Sequence, residues 1–184
     1  MKNLAIRKIS LVAVMAAVVF VSSQIQIPIP LGLSVTRVHI GNGFCLLCGL
    51  LLGPLLGGLS AGIGSCFFDL LNPIYLTSAP FTFIFKFLMA YVCGKIAWTE
   101  KKESKSLAIN LTGTILGAIT YIILYLSKSY IKDIFVRGIP KQGAIAALFT
   151  RGLASLTNAI VGVIIAIVLL KVLKPIINKV REWR

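Results

Sequence analysis

Long apolar runs alternate with short polar or proline-rich joints along this chain, at about 9–24, 38–52, 55–70, 81–98, 107–126 and 143–170. Most approach the roughly 20 residues needed to cross a hydrocarbon core about 30 Å thick. Backbone polar groups have no water to bond in that medium, so the runs are expected as helices. The strict apolar–polar alternation of a membrane β-barrel does not recur along the sequence. The pattern predicts an all-α integral membrane protein, a bundle of six transmembrane helices that forms a single membrane domain over 1–184.

The joints refine this picture. The first run follows Lys2, Arg7 and Lys8, as in a signal peptide, but leads straight into further membrane segments and is expected to stay. After it, Gln24 to Gly32 holds Pro28 and Pro30 and reads as a loop packed on the membrane domain. Gly53-Pro54 separates the second and third runs so briefly that they should form a tight helical hairpin. Glycine pairs at four-residue spacing (Gly49/Gly53, Gly53/Gly57, Gly58/Gly62, Gly113/Gly117) permit close helix packing. Asn72-Pro73 ends the third run, a charged stretch from Glu100 to Lys105 follows the fourth, and 127–142 reads as a charged loop.

Composition agrees. Of 184 residues 58% are hydrophobic and 13% charged, with a mean hydropathy of +0.95; soluble chains carry roughly 25% charged residues. The net charge of +14 comes from 19 basic and 5 acidic residues. The basic residues sit in the joints, where they set topology and meet lipid headgroups, so nucleic acid is not the expected partner. Placing both termini in the cytoplasm puts most of them inside and leaves Arg37, Lys128, Lys132, Arg137 and Lys141 outside, the arrangement the positive-inside rule prefers. Cys45 and Cys48 form a C-x-x-C within an apolar run with no second ligand pair, and read as packing residues.

Ionisable residues inside membrane runs are costly and mark function or a partner. Asp69, Lys86 and Arg151 are three such residues, all expected at comparable depth in the outer half. Helical spacing extends each into a polar stripe: Ser65, Asp69 and Asn72; Thr82, Lys86 and Met89; Arg151, Ser155 and Asn158. Together they suggest a cavity opening outward, with Tyr75, Phe81, Phe83 and Phe85 as its aromatic neighbours. Two structural alternatives stand beside this: an Asp69–Lys86 salt bridge, and an Arg151 that snorkels to the headgroups. His39 and Asn42, at the outer start of the second run, are ligand donors or helix-start residues. With one histidine, no multi-histidine metal site is expected. No catalytic motif or phosphate loop occurs, so neither an enzyme nor a cofactor is expected.

Three stretches carry a family resemblance. They are Ala13 to Ala17 with its A-x-x-x-A spacing; His39-Ile40-Gly41-Asn42-Gly43 running on to Gly53-Pro54 and Gly57-Gly58; and Gly64-Ser65 through Asp69, followed by Thr82-x-x-x-Lys86. The chain resembles the substrate-binding S component of energy-coupling factor (ECF) transporters, which import vitamins and related micronutrients into prokaryotes. The resemblance implies that Ala13 and Ala17 dock on a transmembrane coupling subunit powered by two cytoplasmic ATPases in the cell membrane. It also implies a substrate near the outer surface, between the outer parts of the fourth to sixth runs, with Asp69 and Lys86 at its border. A cation pair, Lys86 and Arg151, suits a small polar heterocycle bearing an anionic group; riboflavin, hydroxymethylpyrimidine (a thiamine precursor) and pyridoxine are the preferred candidates. The alternative is a stand-alone ion-coupled secondary transporter, against which a single membrane carboxylate, Asp69, is expected to count.

Overall fold

A computed structural model describes residues 2–31, 34–99, 104 and 106–182. Gly32 and the basic residues Lys101, Lys102, Lys105 and Arg184 of the charge pattern lie outside the described residues. The elements are α1 (Lys2–Ser23), β1 (Gln26–Leu31), β2 (Ser34–His39), α2 (Gly41–Leu70), α3 (Ala79–Ala97), α4 (Leu107–Ile131) and α5 (Lys141–Glu182), with a 3-10 turn at Leu76–Ser78 and a π-turn at Lys132–Val136. Among the described residues, five helices are long and apolar enough to cross a membrane.

One of them, α2, turns back on itself. Gly53 has φ 78° and ψ −174°, a conformation open essentially to glycine alone. A Cβ placed on Gly57 would lie 2.5 Å from the Cys48 carbonyl oxygen, which only a reversal of the chain allows. Pro54 has no N–H to offer the Leu50 carbonyl, as the fourth residue on in a helix normally would. Trp98 Nε1 and Ser104 Oγ donate to that carbonyl instead, at 3.0 and 2.6 Å. The joint is thereby tied to the end of α3 and to the connection beyond it.

The two arms of α2 form the centre of the bundle. The second arm lies antiparallel to α3, with Gly58 against Phe87 and Gly62 against Phe83. The first arm runs along the other flank of α3 and buries Leu46, Leu47 and Leu50 with Met89 and Cys93. Gly64 lets α1 approach so closely that a Cβ there would meet the Ala16 carbonyl at 2.3 Å. Ala13 and Ala17 are exposed on α1, whereas Ala16 and Val19 face inward. The first turn of α1 and the far end of α5 both lie away from the end where β2 meets α5.

Two joints differ from the sequence expectation. The proline-rich stretch is strand β1, paired antiparallel with β2 from Gln26↔His39 to Leu31↔Ser34. Alternate β-branched positions favour a strand here. Pro28 and Pro30 are two residues apart, so their missing N–H groups fall on one edge, and β1 has a neighbour on the other side only. Val38 and His39 thus belong to β2, and α2 starts at Gly41. The charged stretch 127–142 is largely helical rather than a loop: α4 continues to Ile131 and the π-turn follows. Its charges are tolerated because Asp133 folds inward and pairs with Arg137 and Arg151.

The conformation at Gly53 makes a specific demand. Gly53→Ala is expected to cost about 1–3 kcal/mol from backbone strain alone, and its Cβ would also press on the Trp98 ring at 3.2 Å. Gly138, at φ 64° with nothing within 4 Å, is the control. Thermal unfolding in detergent should fall further for Gly53→Ala than for Gly138→Ala; equal shifts would show that the reversal is not strained by a side chain.

Candidate ligand-binding site

At the end of the bundle where β2, the second arm of α2 and the starts of α3 and α5 meet the end of α4, the helices splay around a cavity of about 350 Å³. That lies within the roughly 300–1,000 Å³ range of small-molecule sites. Its wall is assembled from periodic polar stripes, as the sequence suggests, but the partners differ from those expected.

Asp69 lies near the end of α2 and is 1% exposed. Its carboxylate accepts from Arg37 Nη2 at 2.9 Å and from the Thr82 hydroxyl. Arg37 comes from β2 and is held between aromatic rings, 4.6 Å from the Phe68 centroid and 4.0 Å from that of Tyr75. Such stacking suits a planar, weakly hydrated guanidinium. The Asp69–Lys86 salt bridge considered from sequence is therefore not formed: Arg37 of the hairpin meets the carboxylate through Nη2, while its Nη1 donates to Gln26 Oε1 at 3.4 Å. Lys86 instead donates to Asn42 Oδ1 and sits 3.8 Å from the Tyr121 ring centroid. Lys86 and Asn42 are buried and do not line the cavity.

Arg151 does not snorkel. It is buried and donates to Asp133, whose other oxygen accepts from Arg137 at 3.0 Å. Asp133 is itself 1% exposed, so Asp69 is not the only carboxylate buried in the bundle. Its place in a charged sequence had suggested a solvated loop; the π-turn turns it inward toward α5.

Asn158 has a structural task. Its Oδ1 accepts from the His39 backbone N–H at 2.8 Å, and its Nδ2 donates to the Arg37 carbonyl at 2.7 Å. A side-chain amide thus behaves as one more strand residue beside β2 and fixes the hairpin over the cavity. His39 is buried with Nδ1 unpaired. Burial, then the nearby Lys86 and Arg37 charges, push its pKa well below the ordinary value, so the ring is neutral.

Of the residues singled out from sequence, His39, Asp69, Tyr75, Thr82, Arg151, Ser155 and Asn158 line the cavity. Asn72 does not; its Oδ1 accepts from Ile74 N–H at 3.2 Å and shapes the turn after α2. The sequence singles out neither Arg37 nor any residue of α4 for the site, although the family resemblance places the fifth run beside the substrate. Along α4 and into the π-turn, Tyr121, Tyr125, Lys128 and Lys132 follow the spacing of one helical face, and the two tyrosine rings stack at 5.9 Å. The same face continues past 126, where Lys128 and Lys132 make the sequence look like a loop. Among the described residues no cluster of three metal-ligating side chains comes together.

The buried carboxylate can be tested by its removal. Asp133→Asn removes the carboxylate that Arg137 and Arg151 share, and breaking such a buried pair costs about 3–5 kcal/mol. The thermal unfolding midpoint in detergent should drop sharply, and the double variant Asp133→Leu/Arg151→Leu should recover part of the loss. A single variant as stable as the parent would mean that the pair does not hold α4 to α5.

Comparison with known proteins yields one family. A family model for the S component of ECF-type riboflavin transporters matches residues 3–175. A Pyrococcus woesei protein described as an uncharacterized protein in the gap 3′ region is 29% identical over 162 residues, covering 88% of this chain and all of that one. Among solved structures, the S component for biotin from an ECF-type ABC transporter superposes with a TM-score of 0.66 at 20% identity, covering 93% of this chain and 94% of the other. At that identity the likeness concerns the fold.

Proposed function

Because the chain belongs to the family of S components of ECF-type riboflavin transporters, a family of transporter subunits and not of enzymes, we propose that it is the high-affinity substrate-binding subunit of an ATP-driven importer for a vitamin or vitamin precursor. The observation that carries this reading is the cavity, which gathers convergent polar groups and aromatic walls at one end of an apolar bundle. Riboflavin heads the candidates through the family description, with hydroxymethylpyrimidine and pyridoxine beside it; the fold neighbour is a biotin component.

We read the two arms of α2 as separate crossings, which makes six. Both chain ends then lie in the cytoplasm and the cavity opens outward, in keeping with the distribution of basic residues. A transmembrane coupling subunit and two cytoplasmic ATPases complete the importer in the prokaryotic cell membrane. The exposed side of α1 is the docking face. Ala13 and Ala17 leave a shallow surface there for another helix, while Ala16 and Val19 serve the bundle. His39, Asp69, Tyr75, Thr82, Arg151 and Ser155 are read as ligand-facing, and Asn42, Lys86, Asn72 and Asn158 as residues that position them. The stand-alone ion-coupled reading has less support, since Asp69 and Asp133 are both taken up by arginines.

Mass spectrometry of ligand retained after mild detergent purification tests the class directly, and a vitamin-type molecule is expected. Ala13→Trp with Ala17→Trp should abolish uptake in cells that carry the coupling module yet leave ligand affinity within about twofold, since bulk blocks docking without touching the cavity. Equal loss of uptake and binding in a folded variant would remove α1 as the docking face. Uptake that persists without any coupling subunit would favour the ion-coupled alternative.

A further inference from the structure

The charge of the cavity does not balance. Arg37, Lys128, Lys132, Arg137 and Arg151 line it against two carboxylates, Asp69 and Asp133. Arg37 is matched by Asp69, and Asp133 is shared between Arg137 and Arg151. Three positive charges are left over, and neutral His39 adds none. A sixth cation, Lys86, is buried behind Tyr121 with an amide and an aromatic ring as neighbours.

Two of these charges, Lys128 on the last turn of α4 and Lys132 at the start of the π-turn, sit side by side. Lys128 and Lys132 are four residues apart, a spacing at which like charges weaken a helix. Lys128 is held in place, with Nζ 2.9 Å from Ser78 Oγ and 5.1 Å from the Phe81 ring centroid. The carbonyl end of a helix favours a cation nearby. That accounts for Lys128; among the described residues no such contact is seen for Lys132. Low-dielectric walls strengthen both the mutual repulsion of these groups and their pull on an anion.

We infer that the ligand of this cavity carries a negative charge, as a carboxylate or a phosphate. Lys128 and Lys132 hold the anionic group, and the planar body of the ligand lies toward the Tyr121 and Tyr125 rings. The inference deepens the reading of the chain as a vitamin-binding subunit and rests on it. It separates ligands that share one skeleton: a neutral flavin should bind weakly, and its phosphate ester well.

Binding to the purified full chain in detergent is measured by titration calorimetry for two matched pairs, riboflavin against riboflavin 5′-phosphate and biotin against biotin amide. At least one anionic member should bind about tenfold or more tightly than its neutral partner, and the pair that responds tells phosphate from carboxylate. Lys128→Gln/Lys132→Gln should erase that preference, whereas Lys128→Arg/Lys132→Arg should keep it; both variants must unfold at the parent temperature. Affinity for the anion should also fall as salt is raised. Neutral members that bind as tightly as the anions, or a preference that survives the glutamine variant, would overturn the inference and leave the binding-subunit reading standing. Should no member of either pair bind and no vitamin be retained on purification, the binding-subunit reading falls and the inference with it.

Discussion

In an apolar surrounding a backbone carbonyl without a donor costs several kcal/mol, and the centre of this bundle is arranged around one such group. Pro54 withholds the N–H that Leu50 would otherwise receive, while Gly53 turns the chain through a conformation no other residue adopts easily. The orphan carbonyl is then satisfied from outside the hairpin by Trp98 and Ser104. Ser104 is held in turn: its own carbonyl accepts from Asn110 at 2.7 Å and from Lys174 on α5. A local defect thus fastens α2, α3, α4 and α5 together at the end remote from the cavity.

With that end fastened, the opposite end is free to separate into cavity walls. The same accounting applies there to charges instead of carbonyls. Each buried carboxylate meets an arginine from a different element: Asp69 joins α2 to β2, and Asp133 joins the π-turn to α5. These pairs do not merely decorate a pocket. They decide which segments form its walls, and the Asn158 amide adds the hairpin as a third fixed piece. Removing an ion pair here costs geometry as well as stability.

Much of this was legible in the sequence. The six apolar runs fall on the five long helices of the described residues, two of them sharing α2; Gly53-Pro54 marked the reversal, and the stripes through Asp69, Thr82, Arg151 and Ser155 pointed to one cavity. What escaped has a common cause. Segments rich in proline or charge look like solvated loops when taken alone, because the groups that satisfy them lie far away in the chain. Arg37 finds Asp69 across 32 positions, and Asn158 finds the Arg37 carbonyl across 121. Asp133 needs Arg151, 18 residues on, before an inward turn becomes affordable. Lys86 was placed correctly as buried, but its neighbour was chosen by charge; the structure gives it an amide and a ring.

The prolines of β1 have a consequence beyond the chain itself. A two-stranded hairpin at the surface of a membrane protein ordinarily presents a row of free N–H and C=O groups to its surroundings. With Pro28 and Pro30 on the outer edge, that row lacks alternate donors, and a strand from another molecule finds too few bonds to add itself. The exposed edge of β1 is thus a poor template for a strand from a neighbouring copy, and Asn158 already occupies the far edge of β2.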